Sequence, residues 1–148
     1  VAGQSGGLAS VAIIDFYDRT NSKLFGYLSN SLSQAVDGSM ERIFEFQRSD
    51  AAKNSAAGAA YLKGAAQADK NALKGFQQQT GADYVIYGDY VYDKKTKKVT
   101  IHAQAYDLVR LISVSNQSLE SPVDATLFTA VDQIAERIVQ DILQLAQQ

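Results

Sequence analysis

The chain has 148 residues, a hydrophobic fraction of 46% and a formal net charge of −2. That length suits one domain that buries about two thirds of its unfolded surface, and the small net charge excludes long-range attraction to nucleic acid or an anionic membrane. With no Cys and one His, disulfides, thiolate metal sites and a Cys nucleophile are excluded; no run approaches the roughly 20 apolar residues of a membrane helix.

Residues 1–8 have linker composition and show no signal peptide. We expect a targeting or lipid-anchoring segment to have preceded Val1. Gly3-Gln4-Ser5-Gly6-Gly7 matches Gly-x-Ser-x-Gly, but a nucleophile elbow needs a strand before the Ser and a helix after it. Here a strand follows, which argues against a hydrolase built on Ser5.

Val11 to Phe16 is a short apolar run, read as a strand buried on both faces. The polar loop Tyr17-Asp18-Arg19-Thr20-Asn21-Ser22 is rich in residues that cap helices. Leu24, Leu28, Leu32 and Val36 then recur at the spacing of one helix face, with Gly38 as the expected terminator. Residues 42–48 alternate weakly and read as a second strand. A crossover of this length makes the two strands parallel neighbours.

Residues 49–79 are Ala-rich, with Gly58, Gly64 and Gly75 weakening the helical propensity. They read as two helical pieces, about 51–68 and 70–79. The first either covers the sheet or serves as a partner-docking or oligomer-contact helix. Gly81 stops the second piece, and Tyr84 to Asp93, dense in aromatic and β-branched residues, is the strongest strand. Across the lysine-rich tip at 94–98, Val99, Ile101, Ala103 and Ala105 alternate with polar residues in a half-buried strand. A turn at Asp107 to Arg110 leads to a third hairpin strand, 111–119, which becomes polar as an edge strand does. Ser121-Pro122-Val123-Asp124 reads as a helix start. The stripe of Leu127, Val131, Ile134, Ile138, Ile142 and Leu145, widened by Phe128, Ala135 and Val139, follows.

Catalytic constellations are absent from this reading. His102 stands alone and reads as a structural or surface residue. Asp15, Asp18, Asp83 and Asp89 sit near strand ends, where open α/β sheets bind ligands, although capping explains Asp18 and Asp83 equally well. No phosphate-loop, dinucleotide or calcium-loop motif occurs. We therefore expect no enzyme activity, cofactor or metal. Tyr84, Tyr87, Tyr90 and Tyr92 cannot all point inward, and exposed Tyr favours protein interfaces.

Three segments carry a resemblance. Val11-Ala12-Ile13-Ile14-Asp15-Phe16-Tyr17-Asp18-Arg19-Thr20-Asn21 resembles the opening strand and loop of the CsgG, FlgO and LpoB group of bacterial envelope proteins. Gly81-Ala82-Asp83-Tyr84-Val85-Ile86-Tyr87-Gly88-Asp89 resembles a strand motif of the TolB N-terminal-domain superfamily, and Leu127 to Val139 resembles that group's last helix. The resemblance spans nearly the whole chain from Ala9. It implies a single α/β domain over 9–148, TolB N-terminal-domain-like (anticodon-binding-domain-like). Its mixed sheet would combine a parallel β-α-β opening with antiparallel hairpins, flanked by helices. It also implies a non-enzymatic assembly module in the periplasm or at the outer membrane, often a lipoprotein, whose partners are other envelope proteins or further copies of itself. The Ala-rich segment at about 49–70 is longer than the usual link, the turn at Asp107 lacks the usual Gly, and nothing matches the membrane hairpins of CsgG. Tyr17, Asp18, Arg19, Tyr90 and Tyr92 are the expected partner-binding residues. The rival expectation is a small-ligand sensor using the cleft at the strand ends, signalled by a deep pocket there.

Overall fold

A computed structural model describes residues 8–20, 25–62 and 68–146. Its elements are β1 (Ala9–Ile13), β2 (Tyr17–Asp18), α1 (Leu28–Ile43), β3 (Phe46–Arg48), α2 (Ala51–Ala57), a π-helical turn (Gly58–Leu62), α3 (Lys70–Thr80), β4 (Tyr84–Asp93), β5 (Lys98–Asp107), β6 (Ile112–Pro122) and α4 (Thr126–Ala146). One mixed sheet runs in the order β3-β1-β4-β5-β6. β3, β1 and β4 are parallel, and β4, β5 and β6 form an antiparallel meander. β2 pairs with β4 beyond the end of β1.

The sheet has two different faces. On one, Val11, Ile86, Tyr90, Val99, Ile101, Ala103 and Ala105 pack under Leu28, Leu32, Val36 and Met40 of α1 and the Leu127–Ile142 stripe of α4. The period-2 pattern of β5 thus meets the expected helix stripe. Polar pins fix the helices in register: Asp132 of α4 accepts hydrogen bonds from Ser39 and Arg42 of α1, and Asp141 accepts from Ser115 and Gln117 of β6 at 2.6 and 3.1 Å. On the other face, Ala57, Leu62, Leu73 and Phe76 pack with Ala12, Val85, Tyr87 and Tyr106.

Several boundaries differ from expectation. α1 runs through Gly38 to Ile43, because Ser39 and Met40 are buried and that packing outweighs the roughly 1 kcal/mol penalty of one helical Gly. Arg42 and Ile43 are consequently helical, and the following strand shrinks to β3. Ser121 does not cap α4; its hydroxyl bonds the Pro122 carbonyl, while Asp124 accepts from Thr126 N at 2.8 Å. Pro122 instead closes the edge strand β6, where a missing N–H is tolerated. Phe128 is 58% exposed and does not widen the core stripe. Gly81 takes the expected left-handed conformation at φ 72°. The turn after Asp107 replaces glycine with an Asx-type turn: its carboxylate accepts from the N–H groups of Val109 and Arg110, and Leu111 takes φ 60°.

The strand opening the chain is interrupted. Ile13 stands opposite Ile86, but Tyr17 stands opposite Asp89, so Ile14, Asp15 and Phe16 face only Tyr87 and Gly88. This extra residue is a bulge, and it reverses the inside–outside alternation beyond it. Phe16 turns into the α1/α4 core, 1% exposed, over Gly88. A Cβ at Gly88 would collide with the His102 carbonyl oxygen and lie 2.9 Å from the Phe16 ring.

Two stability predictions follow from this packing. Ile134→Ala should cost about 2–5 kcal/mol, the range for truncating a fully buried aliphatic side chain; an unchanged urea midpoint would show that the α4 stripe is not core. Gly88→Ala should cost at least as much as other overpacking changes, about 1–3 kcal/mol, and wild-type stability in that variant would refute the seating of Phe16 on the strand backbone.

Candidate functional site

The bulge divides the expected partner residues between the two faces. Tyr17 and Arg19 emerge on the face that carries Asp89 and His102, which α2 and α3 leave bare among the described residues. The Arg19 guanidinium lies 5.6 Å from the Tyr17 ring centre and donates to Asp89 Oδ2 at 2.6 Å. His102 stands opposite Asp89 on β5, its Nδ1 3.9 Å from Asp89 Oδ1, and its Nε2 shares a 2.5 Å hydrogen bond with Asn116 of β6. A polar chain thus crosses β2, β4, β5 and β6, flanked by Val91 at 44% exposure. Tyr17 is 38% exposed, and its ring projects beside a cation that a half-buried carboxylate holds in place.

Asp18, Tyr90 and Tyr92 lie on the opposite, helix-covered face. The Asp18 carboxylate accepts from Thr20 N at 2.9 Å. Tyr90 is fully buried, and its hydroxyl donates to the Phe25 carbonyl at 2.7 Å; it belongs to the core and does not reach the surface. Tyr92 is half-buried against Phe25, with ring centres 4.3 Å apart. Thr20 caps no helix: its hydroxyl accepts from Tyr92 N at 2.7 Å and prolongs the β2–β4 pairing. Asn21 and Ser22, also expected as caps, lie outside the described residues, as does the Gly-x-Ser-x-Gly match at 3–7.

The four carboxylates at strand ends do not converge. Asp83 accepts from Ser10 N at 3.0 Å, Asp89 holds Arg19, Asp18 holds Thr20, and Asp15 is held by Ser33 Oγ at 2.7 Å and Asn30 Nδ2 at 3.2 Å. No group of three or more His, Cys, Asp or Glu among the described residues is placed to hold a metal. No described helix is long and apolar enough to cross a membrane.

A cleft of about 480 Å³ does open at the C-terminal ends of β1 and β3, between α1 and α2. Ile14, Phe16 and Leu62 give it apolar walls, and Asp15, Ser33, Arg48 and Asn54 bring polar groups to it. The bulge creates its mouth by lifting Asp15 off the sheet. Sequence reading expected a cleft at these strand ends and placed Asp15 near it, but not Asn54, which sits in an Ala-rich run with no periodic signal.

No protein-family model matches the sequence, and no curated protein sequence matches it significantly. Solved structures do match. TolB from Acinetobacter baumannii superposes with a TM-score of 0.59 at 21% identity over 91% of this chain, which spans only 28% of that protein. The fold is that of TolB N-terminal-like domains. The C-terminal domain of LpoB from Salmonella enterica superposes with a TM-score of 0.57 at 13% identity, covering 82% of this chain and 90% of that one. Lipoprotein GNA1162 from Neisseria meningitidis gives 0.51 at 14% identity, covering 88% and 96%.

Burial pushes the Tyr90 hydroxyl up to about 12 and drives Tyr87 and Tyr84 upward too, again mainly by desolvation. Unfolded tyrosines ionise near pH 10, so above that pH the folded state retains protons that the unfolded state has lost, and stability falls as pH rises. Urea midpoints should therefore drop between pH 10 and 12. Tyr90→Phe should lose about 1 kcal/mol at pH 7 with its hydrogen bond and show a shallower alkaline decline; parallel declines in the two proteins would contradict the assigned burial.

Proposed function

We propose that this chain is a non-enzymatic protein-interaction and assembly module of the bacterial cell envelope, carried on a lipid anchor, with residues 9–148 acting as one folded unit. The observation that carries this reading is the half of the sheet that no helix among the described residues covers, where Asp89 holds the Arg19 guanidinium beside the Tyr17 ring. Tyr and Arg are the residue types that most often dominate binding energy, and their value rises when a rigid scaffold spares them the cost of ordering. The likeness to the LpoB C-terminal domain and to a lipoprotein over nearly their full lengths supports an envelope role.

Crosslinking capture from native envelope with the wild-type chain, compared with a Tyr17→Ala, Arg19→Ala double variant, tests the proposal. The variant should stay folded with a loss of no more than about 1 kcal/mol, the scale of an exposed ion pair, and its captured partner should bind at least 1 kcal/mol more weakly. Undiminished capture by the folded variant would remove this face as the interaction site.

A further inference from the structure

Two departures from regular structure meet in the cleft at the ends of β1 and β3. One is the bulge at Ile14, Asp15 and Phe16. The other is the π-helical turn Gly58–Leu62 that follows α2. The two touch: a Cβ built on Gly58 would lie 2.9 Å from Ile14 Cγ2, so the wide turn rests on the bulged strand. Bulges and π turns are both over-represented at functional sites, and Ile14, Asp15, Gly58 and Leu62 all line this one cavity. Its volume of about 480 Å³ falls within the range of small-molecule sites.

The lining divides by chemistry. Asn30, Ser33, Gln34 and Asp37 come from α1, at the i, i+3, i+4, i+7 spacing of one helix face, while Leu28, Leu32, Val36 and Met40 of the same helix pack in the core. From α2 and its π turn come Ala51, Ala59 and Leu62. Asp15 is exposed and already oriented. Its Oδ1 accepts from Ser33 Oγ at 2.7 Å and from Asn30 Nδ2 at 3.2 Å. Among the described residues nothing donates to Oδ2, and the exposed Gln34 carboxamide makes no hydrogen bond.

A carboxylate only accepts, whereas a carboxamide both donates and accepts. A wholly apolar ligand would strip water from Asp15 without replacing its hydrogen bonds. An ammonium would satisfy Asp15 but could not accept from Gln34; a hydroxyl does both. The complement of this cleft therefore carries hydroxyls on one edge and an apolar surface on the other side. A pyranose ring has that division, with hydroxyls around its rim and C–H bonds on its faces. Tyr17, which also lines the cleft, adds a broad aromatic surface.

We propose that this cleft is a binding site for a neutral sugar, whose hydroxyls meet Asp15 Oδ2 and the Gln34 carboxamide and whose C–H face lies against Ala59 and Leu62. Tyr17 borders both this cleft and the partner surface, but Arg19 and Asp89 do not line the cleft, and the two sites are tested with different variants.

The experiment is a titration of the full chain followed by backbone amide NMR. Methyl β-glucopyranoside and the methyl glycoside of N-acetylglucosamine are the sugar probes. Cyclohexanol and cyclohexylammonium are rings of the same size with one hydroxyl or one ammonium. At least one sugar should give saturable shifts at the amides of Asp15, Asn30, Gln34 and Ser55, and both control rings should bind at least tenfold more weakly. A trisaccharide of the sugar that binds names the source: tighter binding than the single ring identifies a glycan chain, and equal binding a free sugar. Asp15→Asn keeps the shape and removes the charge, and should weaken binding at least tenfold. Ser55→Trp, at an exposed position of α2, fills the cleft without touching Asp15 or Gln34 and should weaken binding equally. The proposal is overturned if neither sugar saturates at the cleft, if either control ring binds there as tightly as the sugars, or if both variants bind like wild type.

Discussion

The seating of Phe16 on Gly88 is the contact from which the functional half of the molecule follows. A strand continuing in register past Ile13 would have aimed residue 16 at the α2/α3 face. The absence of a side chain at Gly88 leaves a hollow in β4 that a ring from the neighbouring strand can fill, and filling it requires one extra residue. That residue displaces Asp15 outward to the cleft and exchanges the faces of everything after it. Tyr17 and Arg19 thereby reach the bare face, while Asp18 turns toward the helices. A single packing event thus fixes both the entrance of the cleft and the side of the sheet that carries the Tyr–Arg pair.

The two faces are built to different standards. The α1/α4 face is closed by large aliphatic side chains and held in register by Asp132 and Asp141, each accepting from two donors. Such charge-assisted bonds at the margins of an apolar layer orient helices without burying an unpaired charge. On the opposite face the described helices pack over Ala12, Val85, Tyr87 and Tyr106. Its remaining strands carry Asp89, His102 and Asn116, and His102 is in contact with both of the others.

The sequence was informative where one physical signal acted alone. The α4 stripe, the alternation of β5, the left-handed Gly81 and the parallel β-α-β opening are each set by a local periodicity or a single conformational requirement, and each is found in the structure. It was misleading where two signals competed. Gly38 carries a stop signal, but burial of Met40 overrules it. Ser121 and Asp124 are both capable caps, and the length of β6 decides between them. Tyr90 and Tyr92 look like interface residues by composition, yet parity along β4 buries Tyr90 and sets Tyr92 half-buried against Phe25. The bulge was illegible because nothing in the string Ile14-Asp15-Phe16-Tyr17 announces an extra residue; only the glycine on the partner strand, over 70 positions later, makes it favourable.

The parallel pairing of β1 with β4 also governs the order in which the molecule can assemble. Ser10 and Asp83, which meet at this seam, are 73 residues apart, whereas β4, β5 and β6 are joined by short turns. Closing the long loop carries the larger entropic cost, and contacts so distant in sequence are the slow ones in folding. The meander can therefore form before the N-terminal strand arrives, with the β4 edge unpaired in the interval. Phe16 reaches Gly88 only when β1 docks, so the cleft and the Tyr17–Arg19 surface depend on the same docking event.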